Sequence, residues 1–293
     1  MQLHDNTDAT LADSGTRPVL QVVRGSPASD GAGVKLTRMI HTPVLPDLDP
    51  FLLLDEFRSD QAGDYIAGFP EHPHRGFETV TYMLAGRIRH GDNKGNSGLL
   101  RPGSVQWMTA GRGIVHSEMP EQENGLMWGF QLWVNLPAKD KMIAPRYQDI
   151  APEEVPEVTP APGVRLRVIA GRFGGATGPV QAVATEPVYL DVALAPGARL
   201  DVPLPADHSA FVYVFDGAAK VGSGESAERV DRGELAVLGA GERVELGADA
   251  GAARLLVVAG KPLNEPIVRY GPFVMNTEAQ IRQAFADFEA GRF

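Results

Sequence analysis

Glycine and proline interrupt this chain so often that long regular elements have little room. There are 33 Gly and 23 Pro in 293 residues, with short apolar segments between them. These segments are rich in β-branched and aromatic residues, which favour strands. Repeated short strands joined by turns predict an all-β fold of the sandwich or jelly-roll barrel type. The clearest predicted strands are residues 79–84, 105–108, 129–134, 210–215 and 254–259.

One segment near the end has helical periodicity instead. Apolar side chains recur at a helical spacing in 281–288, and Thr277 with Gln280 before them has the pattern of a capping box. Gly291 follows as a stop signal. The pattern predicts a short amphipathic helix over 277–290, with its aromatic stripe packed against a barrel.

A proline-rich stretch divides the chain near its middle. Residues 151–163 contain four prolines interspersed with acidic residues, a composition that resists both helix and sheet and is typical of a linker. We therefore expect a first barrel over 18–150 and a second over 164–293, preceded by a flexible tail over 1–17. The start of that tail has neither the basic residues nor the apolar run of a targeting or membrane segment, so we expect a cytoplasmic protein without membrane contact.

The two halves also have similar strand–turn patterns. Segments 82–86 and 213–217 both begin with Tyr and end with Gly, at an offset of 131 residues. Gly103 and Gly111 have counterparts 130 residues further on. The repetition suggests a duplicated barrel, although glycine spacings also recur by chance in a glycine-rich chain.

Charge and composition exclude several classes of function. Twenty-seven Lys and Arg against 37 Asp and Glu give a net charge of −10, without the basic cluster that nucleic-acid binding needs. The chain has no cysteine, which excludes disulfides, thiolate catalysis and iron–sulfur clusters and fits a reducing compartment. Dinucleotide-binding, P-loop and nucleophile-elbow motifs are missing as well, which argues against nicotinamide enzymes, ATPases and α/β-hydrolases.

Two pairs of side chains carry the chemistry. His72 and His74 form one pair, and His116 and Glu118 form the other. Residues i and i+2 of a strand project to the same face, so two neighbouring strands could direct all four groups at one ion. Three imidazoles and a carboxylate leave coordination positions open on a first-row transition metal, as a catalytic site requires. Without a metal, these histidines would be hydrogen-bonded residues at the rim of a barrel.

The surrounding residues resemble a known family. Glu78 completes a pattern with His72 and His74, and Gly113 precedes His116; these resemble the two motifs of the cupin superfamily. Longer stretches resemble the pirin family more closely, and the resemblance covers nearly everything from about residue 18 onward. The matching stretches are residues 51–57, 72–80, 106–114, 132–136 and 271–276.

The resemblance implies a bicupin, in which two β-barrels face each other and the N-terminal one alone holds a metal. The implied ligands are His72, His74, His116 and Glu118. Glu78, which the general cupin motif would nominate, is implied to support the site without ligating the metal. His90 precedes a turn and is a weaker candidate for a place near the site.

The internal offset agrees with a single site. An offset of 130 carries His116 and Glu118 onto Leu246 and Ala248, and an offset of 131 carries the other histidine pair onto two prolines. The second half therefore has no ligand-type residue at the matching positions.

The resemblance implies a dioxygenase that opens the central ring of flavonols such as quercetin with O₂. Fe(II) is the expected metal, with Cu, Ni, Mn or Zn compatible with the same ligands, and Glu118 is the expected general base. The alternative is a regulatory protein that responds to its metal and binds a protein partner. An isomerase on the same scaffold is a third interpretation. We expect a monomer that does not contact nucleic acid directly.

Overall fold

The computed structural model describes residues 15–181 and 183–293. Most of the predicted tail, residues 1–14, lies outside this part of the chain. The prediction is wrong for residues 15–17. The backbone N–H of Arg17 donates to the carbonyl of Arg243 at 2.8 Å, and its buried guanidinium donates to the carbonyl of Gly239 at 2.9 Å. These residues belong to the fold because they supply a buried donor to the second half of the chain.

Short strands dominate the described residues, as the glycine and proline pattern predicts. The first twelve strands are β1 (Val19–Arg24), β2 (Ser26–Asp30), β3 (Val34–Ile40), β4 (Phe51–Ser59), β5 (Phe69–His74), β6 (Phe77–Ala85), β7 (Ile88–Asp92), β8 (Ser97–Leu100), β9 (Val105–Thr109), β10 (Ile114–Pro120), β11 (Met127–Asn135) and β12 (Arg146–Ile150).

The second half continues in the same way and ends in a helix. Its elements are β13 (Glu157–Val158), β14 (Val164–Ala170), β15 (Arg172–Phe173), β16 (Ala176–Thr177), β17 (Val188–Leu194), β18 (Arg199–Pro203), β19 (Ser209–Val221), β20 (Glu228–Asp231), β21 (Glu234–Leu238), β22 (Arg243–Gly247), β23 (Ala253–Gly260), β24 (Val268–Tyr270), β25 (Phe273–Met275) and α1 (Glu278–Glu289). In the part of the chain that the structure describes, four short 3₁₀ turns lie between strands of both halves, at Ala62–Asp64, Ala138–Asp140, Pro152–Glu154 and Gly224–Ser226.

These strands build two β-barrels of the cupin type. The N-terminal barrel has a four-stranded sheet, in the order β5-β10-β7-β8, and a seven-stranded sheet, in the order β12-β9-β6-β11-β4-β3-β2. In the C-terminal barrel the main sheet runs β1-β21-β19-β23-β17-β14-β13, and the long strand β19 continues into pairs with β20 and β22. The predicted all-β fold with a C-terminal helix is confirmed, and the five predicted strands lie within β6, β9, β11, β19 and β23.

The two barrels pack through their large sheets. Strand alternation decides which side chains meet there: Val80 and Tyr82 of β6 join Phe211 and Tyr213 of β19 in one buried apolar cluster. The intervening Thr81 of β6 points into its own barrel, where it meets the side chains of β10 and β11. The shared core between the barrels therefore fixes which residues are left to line the N-terminal interior.

Strand β1 and the last segment of the chain each cross from one barrel to the other. β1 falls within the range 18–150 predicted for the first barrel, yet it pairs antiparallel with β21 of the second. The last segment of the chain packs on the N-terminal barrel. Arg75, which follows β5, forms an ion pair with Asp287 of α1 at 2.7 Å. A strand's own residues do not reveal which sheet it joins, so the sequence pattern gave no sign of this exchange.

The proline-rich linker is partly regular. Pro152–Glu154 forms a 3₁₀ turn, and β13 pairs with β14 at the edge of the C-terminal sheet. An edge strand can carry neighbouring prolines because its outer backbone groups need no ladder partner.

The helix begins one residue later and ends one residue earlier than predicted, at Glu278–Glu289. Thr277 caps it, with its hydroxyl accepting from the backbone N–H of Gln280 at 3.3 Å. Across residues 15–181 and 183–293, no helix has the length and apolar character to cross a membrane.

Candidate metal centre

Three histidines converge inside the N-terminal barrel. β5 and β10 pair antiparallel, and this register sets His72 directly opposite His116, with His74 two residues along β5. The ring centroid of His72 lies 4.6 Å from that of His74 and 4.4 Å from that of His116. Their ligand atoms all lie within 4.8 Å of one another, the one such group found in the described residues. Alternation along two paired strands therefore brings these rings together, as the spacing predicts.

Glu118 lies beside this group and is held by two neighbours. Its carboxylate accepts from Thr81 Oγ1 at 2.8 Å and from Gln131 Nε2 at 3.0 Å. An irregularity in the β5–β10 register falls between His116 and Glu118, so Glu118 pairs with Phe69. Glu118 is buried, but it does not belong to the group whose ligand atoms lie within 4.8 Å. Its place as a fourth ligand remains a prediction.

The ring nitrogens fit a bound cation. Nδ1 of His72 lies 2.8 Å from the carbonyl of Pro70, so a proton there leaves Nε2 with a free lone pair. Nε2 of His72 and Nε2 of His74 are 3.0 Å apart. Two nitrogens that bind one ion at about 2.1 Å and at right angles lie about 3 Å apart. The pair therefore has the separation of two ligands of one metal.

Protonation of His74 and of His116 is strongly disfavoured. Burial lowers the pKa of His74 well below its usual value, and the nearby His72 and His116 lower it further. Burial likewise lowers the pKa of His116, with smaller effects from His72 and His90. Neither ring nitrogen of His116 has a hydrogen-bond partner among the described residues. Neutral, unpartnered imidazoles are the form in which histidine binds a metal.

A cavity of about 760 Å³ is lined at one end by His72 and His74. Strand alternation again selects its lining: Leu53, Asp55 and Phe57 of β4 face it, as do Gln131 and Trp133 of β11. The hairpin of β24 and β25 closes one side and places the carbonyl of Pro272 3.4 Å from Nδ1 of His74. Leu53, Phe57 and Trp133 give the wall apolar surface, and Arg38, Asp55 and Arg269 add charged groups to it. His72, His74 and Glu118 form a polar end.

Glu78 lies away from this centre. It shares the strand face of Val80, which packs toward the other barrel. Oε1 of Glu78 accepts from Thr109 Oγ1 at 2.6 Å, and burial raises the pKa of its carboxyl. Glu78 is thus hydrogen-bonded to a hydroxyl on β9, and it does not belong to the group of possible metal ligands that the three histidines form.

His90 lies beside the site, on the neighbouring strand β7. It pairs with Glu118 in the β7–β10 register, is buried, and packs against the ring of Tyr147 at 5.4 Å. Nε2 of His90 lies 3.2 Å from a carboxylate oxygen of Asp149. The sequence ranked this histidine low because it precedes a turn signal at residues 91–96.

The corresponding strands of the second barrel bury apolar side chains. β18 and β22 pair as β5 and β10 do. Leu246 and Ala248, the positions reached by the internal offset, belong to the apolar core of that barrel together with Leu200 and Val202. Hydrophobic packing thus occupies the space that imidazoles occupy in the first barrel.

These observations define a class of protein. It has two cupin barrels, and three histidines are gathered in the N-terminal barrel. The Pirin family profile matches residues 33–134, and the pirin C-terminal cupin domain matches residues 189–293. The chain belongs to the pirin family.

Relatives and solved structures agree with this assignment. The chain is 54% identical over 279 residues to a Pseudomonas aeruginosa protein that carries the provisional name quercetin 2,3-dioxygenase, covering 94% of this chain and 97% of the relative. A crystal structure of quercetin 2,3-dioxygenase from Acinetobacter baumannii is 35% identical with a TM-score of 0.86, covering 95% of this chain and 98% of that one.

A more distant structure shares the fold. It is a bacterial pirin from Escherichia coli in complex with nickel(II), 19% identical with a TM-score of 0.63, covering 83% of this chain and 98% of that one.

Proposed function

We propose that this protein is a metal-dependent dioxygenase that opens the central ring of flavonols such as quercetin with O₂. The observation that carries the proposal is the cluster of His72, His74 and His116, of which His72 and His74 line the cavity. The names of the Pseudomonas relative and of the Acinetobacter structure support the same activity.

The three histidines would hold one divalent metal, with Glu118 as the fourth ligand. Fe(II) is our first choice; Cu, Ni, Mn and Zn suit the same mixture of imidazole and carboxylate. The nickel in the Escherichia coli pirin shows that this fold accommodates a divalent ion in that protein. The bound metal would supply Lewis-acid stabilisation of the substrate's deprotonated hydroxyl.

The chain's own residues would prepare the substrate. Glu118 lines the cavity, and as a carboxylate it can take the proton of the substrate hydroxyl. Thr81 and Gln131 fix both of its oxygens, so the carboxylate needs little reorganisation during proton transfer. Leu53, Phe57 and the other apolar wall residues exclude water from the reacting ring.

The test is oxygen-dependent loss of the flavonol. Protein loaded anaerobically with Fe(II) is mixed with quercetin, and the flavonol absorbance is followed as O₂ is admitted. We expect the band to disappear only after O₂ enters, with release of carbon monoxide.

Glu118→Gln is the matched variant, because it keeps the shape of the side chain and removes the base. It should slow turnover by about 10²- to 10⁴-fold, and unchanged turnover would exclude Glu118 as the base. Absence of turnover with every divalent metal, together with a stoichiometric protein partner, would support the regulatory alternative and contradict the dioxygenase.

A further inference from the structure

Two arginines lie in the wall of the cavity, and their partners differ. Arg38 uses Nε and Nη2 to bind both oxygens of Asp55, at 2.8 and 2.7 Å, and Nη2 also reaches Asp30 at 2.9 Å. Arg269 donates through Nη1 to the carbonyl of Leu52 at 3.1 Å. Among the described residues, no carboxylate lies within the 4.0 Å ion-pair distance of Arg269.

The free edge of Arg269 faces the cavity. Its Nε and Nη2 have no hydrogen-bond partner in residues 15–181 and 183–293, yet neither is shut off from solvent. This is the same edge with which Arg38 binds a carboxylate through two parallel hydrogen bonds. Arg269 therefore offers an unoccupied fork of donors inside the pocket.

The location of Arg269 relates it to the histidines. Its Cζ lies 4.6 Å from the ring centroid of Trp133, and the Trp133 ring lies 5.2 Å from the ring of His74. The three groups follow one another along a single wall. A flat aromatic molecule with one end at the histidines would thus pass along Trp133 toward the guanidinium.

Burial makes an unpaired cation costly at this place. Burial lowers the pKa of Arg269 to about 10, and the nearby Arg38 adds to the effect. Asp55 and Asp30 oppose it, but Arg38 already binds both. At neutral pH the guanidinium remains charged, so an anionic group on a ligand would offset the free-energy cost of burying that charge.

We infer that Arg269 recognises a carboxylate on the substrate, at the end remote from the oxygen that meets the histidines. The substrate class is then an aromatic compound with a metal-binding hydroxyl at one end and an acidic substituent at the other. The inference rests on the proposed function for the identity of the cavity as the substrate site. An ionised phenol has similar chemistry, but its single oxygen cannot form the two parallel hydrogen bonds that the two oxygens of a carboxylate form with the fork.

The test measures binding without turnover. Ni(II)-loaded protein is titrated anaerobically with three probes that differ at one ring position: 3-hydroxyflavone, its 4′-hydroxy derivative and its 4′-carboxylate. Calorimetry gives the dissociation constants. We expect the carboxylate to bind at least about tenfold more tightly than the unsubstituted probe, since one charge-assisted hydrogen bond accounts for about that factor.

Arg269→Gln should remove this preference and leave the affinity for 3-hydroxyflavone within about twofold. Arg269→Lys should retain part of it, because the charge stays and the fork is lost. Arg24→Gln, which changes an exposed arginine paired with Glu234, is the control and should bind all three probes like the wild type.

Three results would overturn the inference: no preference in the wild type, an equal loss of affinity for all probes in Arg269→Gln, or a preference for the phenol over the carboxylate. The equal loss would show a structural role for Arg269 in the hairpin. Admission of O₂ to Fe(II)-loaded samples then separates the two proposals. A carboxylate preference without turnover leaves the inference standing and contradicts the dioxygenase, and turnover without a preference does the reverse.

Discussion

Two tyrosines in the core between the barrels provide a controlled test of how the barrels are joined. Tyr213 donates its hydroxyl proton to Oε2 of buried Glu56, whose other oxygen accepts from Trp128 Nε1 at 2.7 Å. Tyr189 lies in the same apolar cluster, equally buried, and its hydroxyl has no partner among the described residues. The two Tyr→Phe variants therefore delete the same atom from similar surroundings, with and without a hydrogen bond.

The two variants should change the free energy of unfolding by different amounts. A hydrogen bond to a charged group contributes about 1.5–3 kcal/mol, so Tyr213→Phe should lower the free energy of unfolding by about that amount. Tyr189→Phe removes an unpaired buried hydroxyl, so it should leave the free energy of unfolding unchanged or raise it by about 1 kcal/mol.

The loss in Tyr213→Phe should also depend on pH. Burial raises the pKa of Glu56 above its usual value, while Tyr213 and Trp128 as donors hold it down. Without Tyr213 the folded-state pKa of Glu56 rises further. Glu56 therefore stays protonated to a higher pH in the folded variant than in the folded wild type. The stability of the variant relative to the wild type therefore falls as pH rises through the folded-state pKa that Glu56 has in the wild type, which itself lies above the ordinary value of 4.5.

The assay is urea unfolding at pH 5 and pH 8, followed by tryptophan fluorescence. We expect a larger loss for Tyr213→Phe at pH 8 than at pH 5, and no pH dependence for Tyr189→Phe. Equal stabilities of the two variants at both pH values would refute the role assigned to the Tyr213–Glu56 hydrogen bond.

Two further predictions concern the contact between the last segment and the N-terminal barrel. Gly76 has a φ of +89°, and a Cβ there would lie 2.0 Å from the carbonyl oxygen of Val274. Gly76→Ala should therefore lower the free energy of unfolding, measured with heat or urea, by at least about 2 kcal/mol. The control Gly175→Ala has a similar φ but open space around the new Cβ, so it should lower the free energy of unfolding by about 1 kcal/mol. Burial lowers the pKa of Lys141 from 10.5 to about 8, so the folded state releases this proton first and stability should rise between pH 8 and 10.5 by about 3 kcal/mol. The rise should be missing in Lys141→Met, and an identical pH profile for that variant would contradict the assignment.

The fold class and the histidine cluster could be predicted because both depend on local patterns. Alternation with a period of two specifies which side chains of one strand share a face, and it grouped His72 with His74 and His116 with Glu118. The register irregularity after His116 depends on the partner strand, so the offset of Glu118 from the histidine group could not be foreseen.

The wall of the cavity was beyond the reach of sequence reasoning. Asp55 and Arg269 are more than two hundred residues apart, and each alone resembles an ordinary strand residue. They come together because the last hairpin crosses to the first barrel, just as β1 crosses to the second. Such exchanges follow from tertiary packing of complementary surfaces, which a single strand's pattern does not encode.

Metal stoichiometry tests the central claim most directly. The protein is stripped with a chelator, dialysed against Ni(II) or anaerobic Fe(II), and analysed for metal per chain. The three clustered histidines predict about one equivalent in the wild type and in His208→Gln, which alters a histidine of the other barrel, and almost none in His74→Ala. A full equivalent in folded His74→Ala, or none in the wild type, would contradict the account.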